Sequence, residues 1–164
     1  MADSRAKRKI RLDLYQAIKE GNDGKVAELL PQIAINEPIT DTGMTTFAFA
    51  CSQTQNASIL QAIVNLNPDW NSLDSVGRTP LHHAAIKSNI ACIDIFAMVN
   101  QQAPGLVLVN AQTSGRETPL MFAVRSGHLE VVAKLLNLTA NPFILNGMGQ
   151  SAIDLAQIHH PTLV

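Results

Sequence analysis

Apolar residues recur along this chain in paired bursts. Leu81, Ala84 and Ala85 stand at i, i+3 and i+4 and form one narrow face of a helix. Thr79 ahead of them offers a side-chain oxygen to the free N–H groups of a helix start, and Pro80 suits the first turn. Leu120, Ala123 and Val124 follow Thr118-Pro119 in the same way, and Gly127 marks the stop. A second apolar stripe follows each first one. It is carried by Leu129, Val131, Val132, Leu135 and Leu136, with Glu130 and Lys134 four apart on the wet side. In the preceding unit Ile90, Ile93, Ile95 and Phe96 hold the same role, Ile59, Leu60, Ile63 and Val64 before that, and Val26, Leu29 and Leu30 first. The pattern predicts helix pairs with closely approaching, alanine-lined first helices.

The pairs form a repeat. Thr45-Thr46-Phe47-Ala48-Phe49-Ala50, Thr79-Pro80-Leu81-His82-His83-Ala84, Thr118-Pro119-Leu120-Met121-Phe122-Ala123 and Ser151-Ala152-Ile153-Asp154-Leu155-Ala156 hold equivalent slots, at steps of 34, 39 and 33 residues. A recurrence of about 33 residues reads as a stacked helical array. The step from Thr79 to Thr118 is long, and counting from both sides places its excess between Val99 and Val109, around Gln101, Gln102, Pro104 and Gly105. That predicts a longer second helix or a longer loop after it, either a functional insertion or neutral loop growth.

These residues resemble the ankyrin repeat. Asp74, Gly77, Thr79, Pro80, Leu81, His82, Ala84 and Ala85 match its pattern in one unit, and Thr118 to Leu136, with Gly127-His128, in the next. Asp69-Trp70-Asn71, Val109-Asn110-Ala111 and Ala140-Asn141-Pro142 hold its return segment. The resemblance covers roughly residues 12–158 and implies an all-α solenoid of helix-turn-helix units with short β-hairpin loops. The expected organisation is a basic N-terminal tail at 1–11, a cap at 12–38, repeats at about 40–73, 74–112 and 113–145, and a partial repeat at 146–164. The cap lacks Thr-Pro, as expected of a unit that covers the end of an array. The 45–72 unit has Thr46 for Pro and Thr54-Gln55 for Gly-His. The last unit ends after one helix, closed by His159-His160-Pro161 or cut from a longer protein; Ile153, Leu155 and Ile158, left partly uncovered, favour the cut.

Composition narrows the chemistry. Hydrophobic residues make up 46% of the 164, charged residues 15% and aromatics 4%, which suits thin helices better than a sandwich or barrel. The net charge of −1 is uneven: Arg5, Lys7, Arg8, Lys9 and Arg11 against Asp3 give residues 1–11 a net +4, and the remainder −5. An acidic body argues against a surface that tracks phosphates, so nucleic acid is not the expected partner. The basic run reads as a solvated helical start or tail, then as a nuclear import signal, and last as an anionic-lipid or nucleic-acid contact. Cys51 and Cys92, without metal-ligand spacing, read as small buried thiols in a reducing compartment. With no span-length apolar run and no secretory apolar stretch, the expected location is the cytoplasm, with the nucleus and delivery into a host cell as further options.

No catalytic pattern emerges. His82 and His83 point about 100° apart on a helix and do not converge, and the resemblance makes His82 and His128 structural. Gly147-Met148-Gly149 falls in a hairpin slot rather than a phosphate loop. The expectation is no enzyme, no cofactor and no metal. Trp70 occupies a core slot and Tyr15 the cap's counterpart of the His82 slot.

The resemblance implies a partner on the concave face and hairpin tips, at the family's variable positions. Those are Asp41, Thr42, Met44, Ser52 and Gln53, then Ser75, Val76, Arg78, Ile86 and Lys87, then Ser114, Glu117, Arg125 and Ser126, with Lys19 and Glu20 extending the palm. Arg78, Lys87 and Arg125 around Met44, Val76 and Ile86 suit an acidic, partly apolar protein segment. Arg78 and Arg116 have hairpin carboxylates, Asp74 and Glu117, close in sequence. The expected function is a monomeric protein-binding adaptor or targeting module. Its rival is the targeting domain of a larger enzyme, or of a bacterial effector secreted into host cells, with the activity outside this chain.

Overall fold

The structure, a computed structural model, describes residues 2–159, with side chains from Arg5 onward; His160 and Pro161 of the expected terminal cap lie outside them. Helices α1 (Ala2–Glu20) and α2 (Asp23–Leu29) open the chain, and a 3₁₀ turn (Leu30–Gln32) follows. Then come α3 (Thr46–Gln53), α4 (Ala57–Val64), α5 (Pro80–Ile86), α6 (Ile90–Gln102), α7 (Pro119–Arg125), α8 (Leu129–Asn137) and α9 (Ala152–His159). The odd-numbered helices pack in sequence as one layer, and α2, α4, α6 and α8 as the other.

Capping explains why the helices begin where they do. Thr45, Thr79 and Thr118 accept hydrogen bonds from the N–H groups of Ala48, His82 and Met121, three residues on. Ser151 and Asp154 cap α9 reciprocally: Ser151 N–H donates to the Asp154 carboxylate and Asp154 N–H to Ser151 Oγ. Those bonds from Ser151 hold the Asp154 carboxyl below its ordinary range. Three second helices, α2, α4 and α6, start on asparagines, with Asn22, Asn56 and Asn89 accepting from Lys25, Ser58 and Cys92 N–H, whereas His128 ahead of α8 makes no such bond. Asn89 also donates to the carbonyls of Cys51 and Thr54, tying its repeat to the one before.

Between the layers lies one continuous core. Phe47, Phe96, Leu14, Ile18, Leu60, Leu81, Leu120 and Leu135 are among its fully buried side chains. Trp70 belongs to it, edge-on to Phe47 at 5.1 Å and to Phe96 at 5.8 Å between ring centroids.

The tips are turns rather than strands: the described residues hold one isolated bridge, Pro38 with Thr45. Asp74 N–H bonds Arg78 O, Thr113 N–H bonds Glu117 O and Asn146 N–H bonds Gln150 O to close three of them. Neighbouring tips are joined through the main chain, Ser75 N–H to Thr42 O, Ser114 N–H to Val76 O and Gly147 N–H to Gly115 O. Gly77 shows why one tip needs glycine: its φ is +77°, and a Cβ there would stand 3.1 Å from Ser114 N. On the return side Asn36, Asn71 and Asn110 accept from Asp69, Leu108 and Asn141 N–H, one unit further on.

The long step resolves mainly into a longer second helix. Helix α6 has 13 residues against 8 in α4 and 9 in α8, and a turn through Gly105 (φ +88°) follows it. Asn71 holds that turn by donating to Leu106 O.

Two expectations need correction. Cys51 on α3 and Cys92 on α6 are not separate thiols but a disulfide with Cα atoms 5.8 Å apart, buried between successive units. The two cysteines therefore no longer point to a reducing compartment. The basic run is not a separate tail either, because α1 carries it as its first half. No helix of the described residues is long and apolar enough to cross a membrane.

Candidate partner-binding surface

The expected partner residues lie along the first-helix face and the tips. Asp41, Thr42, Ser75, Val76 and Ser114 are exposed on the tips, and Gln53, Lys87 and Ser126 at first-helix ends. Met44, Arg78, Ile86, Glu117 and Arg125 are half-buried. Ser52 is buried and donates its hydroxyl to Phe49 O, so it presents little to a partner.

Phe122 on α7 organises the centre of this face. The Arg78 guanidinium lies 5.8 Å from its ring centroid and that of Arg125 5.6 Å, within range of cation–π attraction. Arg125 is also ion-paired with Glu117. Arg78 is not held by Asp74 through its guanidinium. One Asp74 oxygen accepts from the main-chain N–H of Val76 and Arg78, and the other lies 3.1 Å from His83 Nε2. Arg78 Nε is shut off from solvent without an acceptor. Glu117 likewise pairs with Arg125 rather than Arg116, which stays exposed.

Beneath this face His82 is fully buried and fixed at both nitrogens. Thr79 N–H donates to Nδ1, so the ring proton sits on Nε2 and donates to Glu117 O, 3.0 Å away in the next tip. Charging the ring would cost hydration and put a proton where Thr79 needs an acceptor. Burial foremost drops the His82 pKa from 6.5 to about 4, against the opposing pull of the Glu117 carbonyl. Burial also lowers His83, despite Asp74 beside it. The geometry is that of a neutral strut between repeats. Met121 fills the matching slot in the next unit, its sulfur accepting from Thr118 N–H.

A pH dependence follows. Between about 6.5 and about 4 the unfolded chain binds more protons than the folded one at position 82. Stability is therefore full above that window and falls as pH drops through it, with the loss complete below about 4. The expected loss from His82 alone is about 3 kcal/mol. Guanidinium unfolding midpoints measured from pH 7 to pH 4 check it: a flat profile, or a His82→Gln profile as steep as the native one, contradicts the assignment.

At the other end Asp41, Thr42, Met44 and Gln53 line a cleft of about 940 Å³ whose opposite wall is α1, with Lys7, Arg8, Arg11, Leu12 and Tyr15. Sequence reasoning misses these α1 residues as a wall, because a basic run at a chain start resembles a tail. The available signal is their spacing: Arg8, Leu12 and Tyr15 at i, i+4 and i+7 share one helix face. No group of His, Cys, Asp and Glu among the described residues is placed to hold a metal ion.

Stacked helix pairs with tips joined through the main chain define a repeat solenoid, a class that presents extended surfaces to other macromolecules. A family model described as ankyrin repeats (3 copies) matches residues 14–104 and again 47–146, and the chain belongs to the ankyrin-repeat family. Ankyrin repeats are in general protein-interaction modules. The mouse B-cell lymphoma 3 protein homolog is 34% identical over 87 residues, covering 53% of this chain and 19% of that protein. Tyrosine-protein kinase HTK16 of Hydra vulgaris is 27% identical over 146 residues, 87% of this chain and 19% of the kinase. Human palmitoyltransferase ZDHHC13 is 31% identical over 94 residues, 57% of this chain and 14% of that protein. The chain thus spans a fifth or less of the length of these curated relatives.

Proposed function

We propose that this chain is a protein-binding adaptor or targeting module that takes an acidic, partly apolar segment of its partner on the first-helix face and tips. The observation that carries the proposal is the pair of guanidiniums, Arg78 and Arg125, set against Phe122 from successive units. An aromatic ring flanked by arginines offers apolar contact and directed positive charge together, the combination common at binding hot spots.

The test is affinity capture from cell lysate, read by quantitative mass spectrometry. Arg78→Ala/Arg125→Ala should recover a specific partner at least tenfold less well than the intact chain. Lys134→Ala, on α8 in the other layer, should recover it normally. Equal recovery by both variants removes the partner from this face.

A second reading has its own support. In the matched relatives the similar region takes up 19% of a kinase and 14% of a palmitoyltransferase. Such an array can direct an activity carried elsewhere in a longer protein, and the same surface would then select the target.

A further inference from the structure

We infer that the cleft between α1 and the first tip–α3 unit is a second docking site, for an acidic segment of another protein bearing one apolar anchor side chain. The inference rests on the chain being a protein-binding array but not on Arg78, Arg125 or Phe122; its tip-side residues Asp41, Thr42, Met44 and Gln53 lie at the N-terminal end of the same first-helix face, and α1 supplies the other wall.

Helix α1 supplies a basic wall over an apolar floor. Lys7, Arg8 and Arg11 line the cleft, and Asp41 is the one carboxylate among the lining residues. Arg11 is paired with Glu37, whereas Arg8 is exposed and its side chain makes no hydrogen bond or ion pair with the described residues. Directly below, Leu12 faces the cleft with 58% of its surface exposed. Tyr15 is held rigid by stacking on buried Phe49, ring centroids 4.2 Å apart, and Met44 completes the floor from the tip side. An exposed leucine beside an adaptable methionine is a seat for an apolar side chain.

Charge selects the occupant. The cleft is net positive, while residues 12–164 together carry −5. A long polyanion laid along the molecule would meet that acidic body, so a duplex or a membrane surface fits poorly. A short acidic peptide meets the basic wall, with Asp41 alone opposing it among the lining residues. The apolar floor argues against free phosphate, which gains nothing from Leu12 or Tyr15. At about 940 Å³ the cleft has room for several residues of an extended segment.

The test uses the full chain. Random twelve-residue peptides displayed on phage are selected against it after depletion on an Arg8→Glu/Leu12→Asp double variant, which removes peptides that bind the Arg78–Arg125 face, and fluorescein-labelled copies of the enriched peptides are titrated by fluorescence polarisation. Enriched peptides should be acidic with one Leu, Ile, Phe or Met. Arg8→Glu and Leu12→Asp should each weaken them at least tenfold, and Arg78→Ala/Arg125→Ala should change them less than twofold. Both cleft substitutions are at exposed positions, and circular-dichroism melting confirms that the variants fold. Enrichment of peptides without acidic character, no enrichment at all, or acidic peptides indifferent to both cleft variants overturns the inference. So does binding of phosphatidylserine vesicles or a DNA duplex, lost in the same two variants, when no acidic peptide binds there.

Discussion

Truncating Phe47 to alanine is expected to lower the unfolding free energy by about 3–5 kcal/mol. Phe47 has no exposed surface and lies 5.1 Å from the Trp70 ring and 5.6 Å from Phe96. These three aromatics come from α3, the return segment after α4, and α6 of the next unit, so the void would open where two repeats meet. Rigid rings collapse poorly into such a space, which puts the cost near the top of the range for core truncations. Urea unfolding followed by circular dichroism at 222 nm checks it, with Leu129→Ala as control. Leu129 is 58% exposed, and its loss should cost about 0.5 kcal/mol or less. A Phe47→Ala cost no greater than that of the control would contradict the packing described.

Reduction of the Cys51–Cys92 disulfide is the second large effect. The bond closes a loop between residues 41 apart in sequence. Removing it frees the denatured chain and should destabilise the fold by about 3–4 kcal/mol on the chain-entropy model. Because both cysteines are buried, the reductant must be applied in denaturant before refolding. Urea midpoints of the oxidised and reduced proteins are then compared, and iodoacetamide labelling under denaturing, non-reducing conditions is read by mass. No adduct and a clearly higher oxidised midpoint are expected. Two adducts without reductant would mean the thiols are free, and coincident midpoints would mean the crosslink contributes nothing.

The repeat is legible in the sequence because its signals are local. Thr79-Pro80 and Thr118-Pro119 announce helix starts within four residues, and the Ile59–Val64 and Leu129–Leu136 stripes need only helical periodicity. Trp70 reads as core because its neighbours in the return segment fix its slot. The disulfide is not legible, since Cys51 and Cys92 each fill an ordinary apolar position and meet only when successive units stack, α3 on α5 and α4 on α6. The partner of Arg125 is a similar case: Glu117, eight residues earlier, is reached only because the tip folds back over α7. The cleft is hidden because Arg5 to Arg11 look like a charge run. Only Ile10, Leu12, Leu14 and the residues beyond show that the helix beneath it continues without a break.

The joined tips bear on how the array deforms. Ser75 to Thr42, Ser114 to Val76 and Gly147 to Gly115 bind successive units by main-chain bonds along one edge. The second helices of successive units meet through side chains, as Lys134 of α8 meets Asp94 of α6. The stiffer edge therefore works like a book's spine and the α2–α4–α6–α8 layer like its fore-edge. Bending about that spine opens or closes the layer of second helices without breaking a tip bond, and it changes the angle between Arg78 and Arg125. On the proposed mode of binding, gripping a partner and curving the solenoid would be one elastic motion, with the stiffness of the fore-edge setting how hard the palm closes.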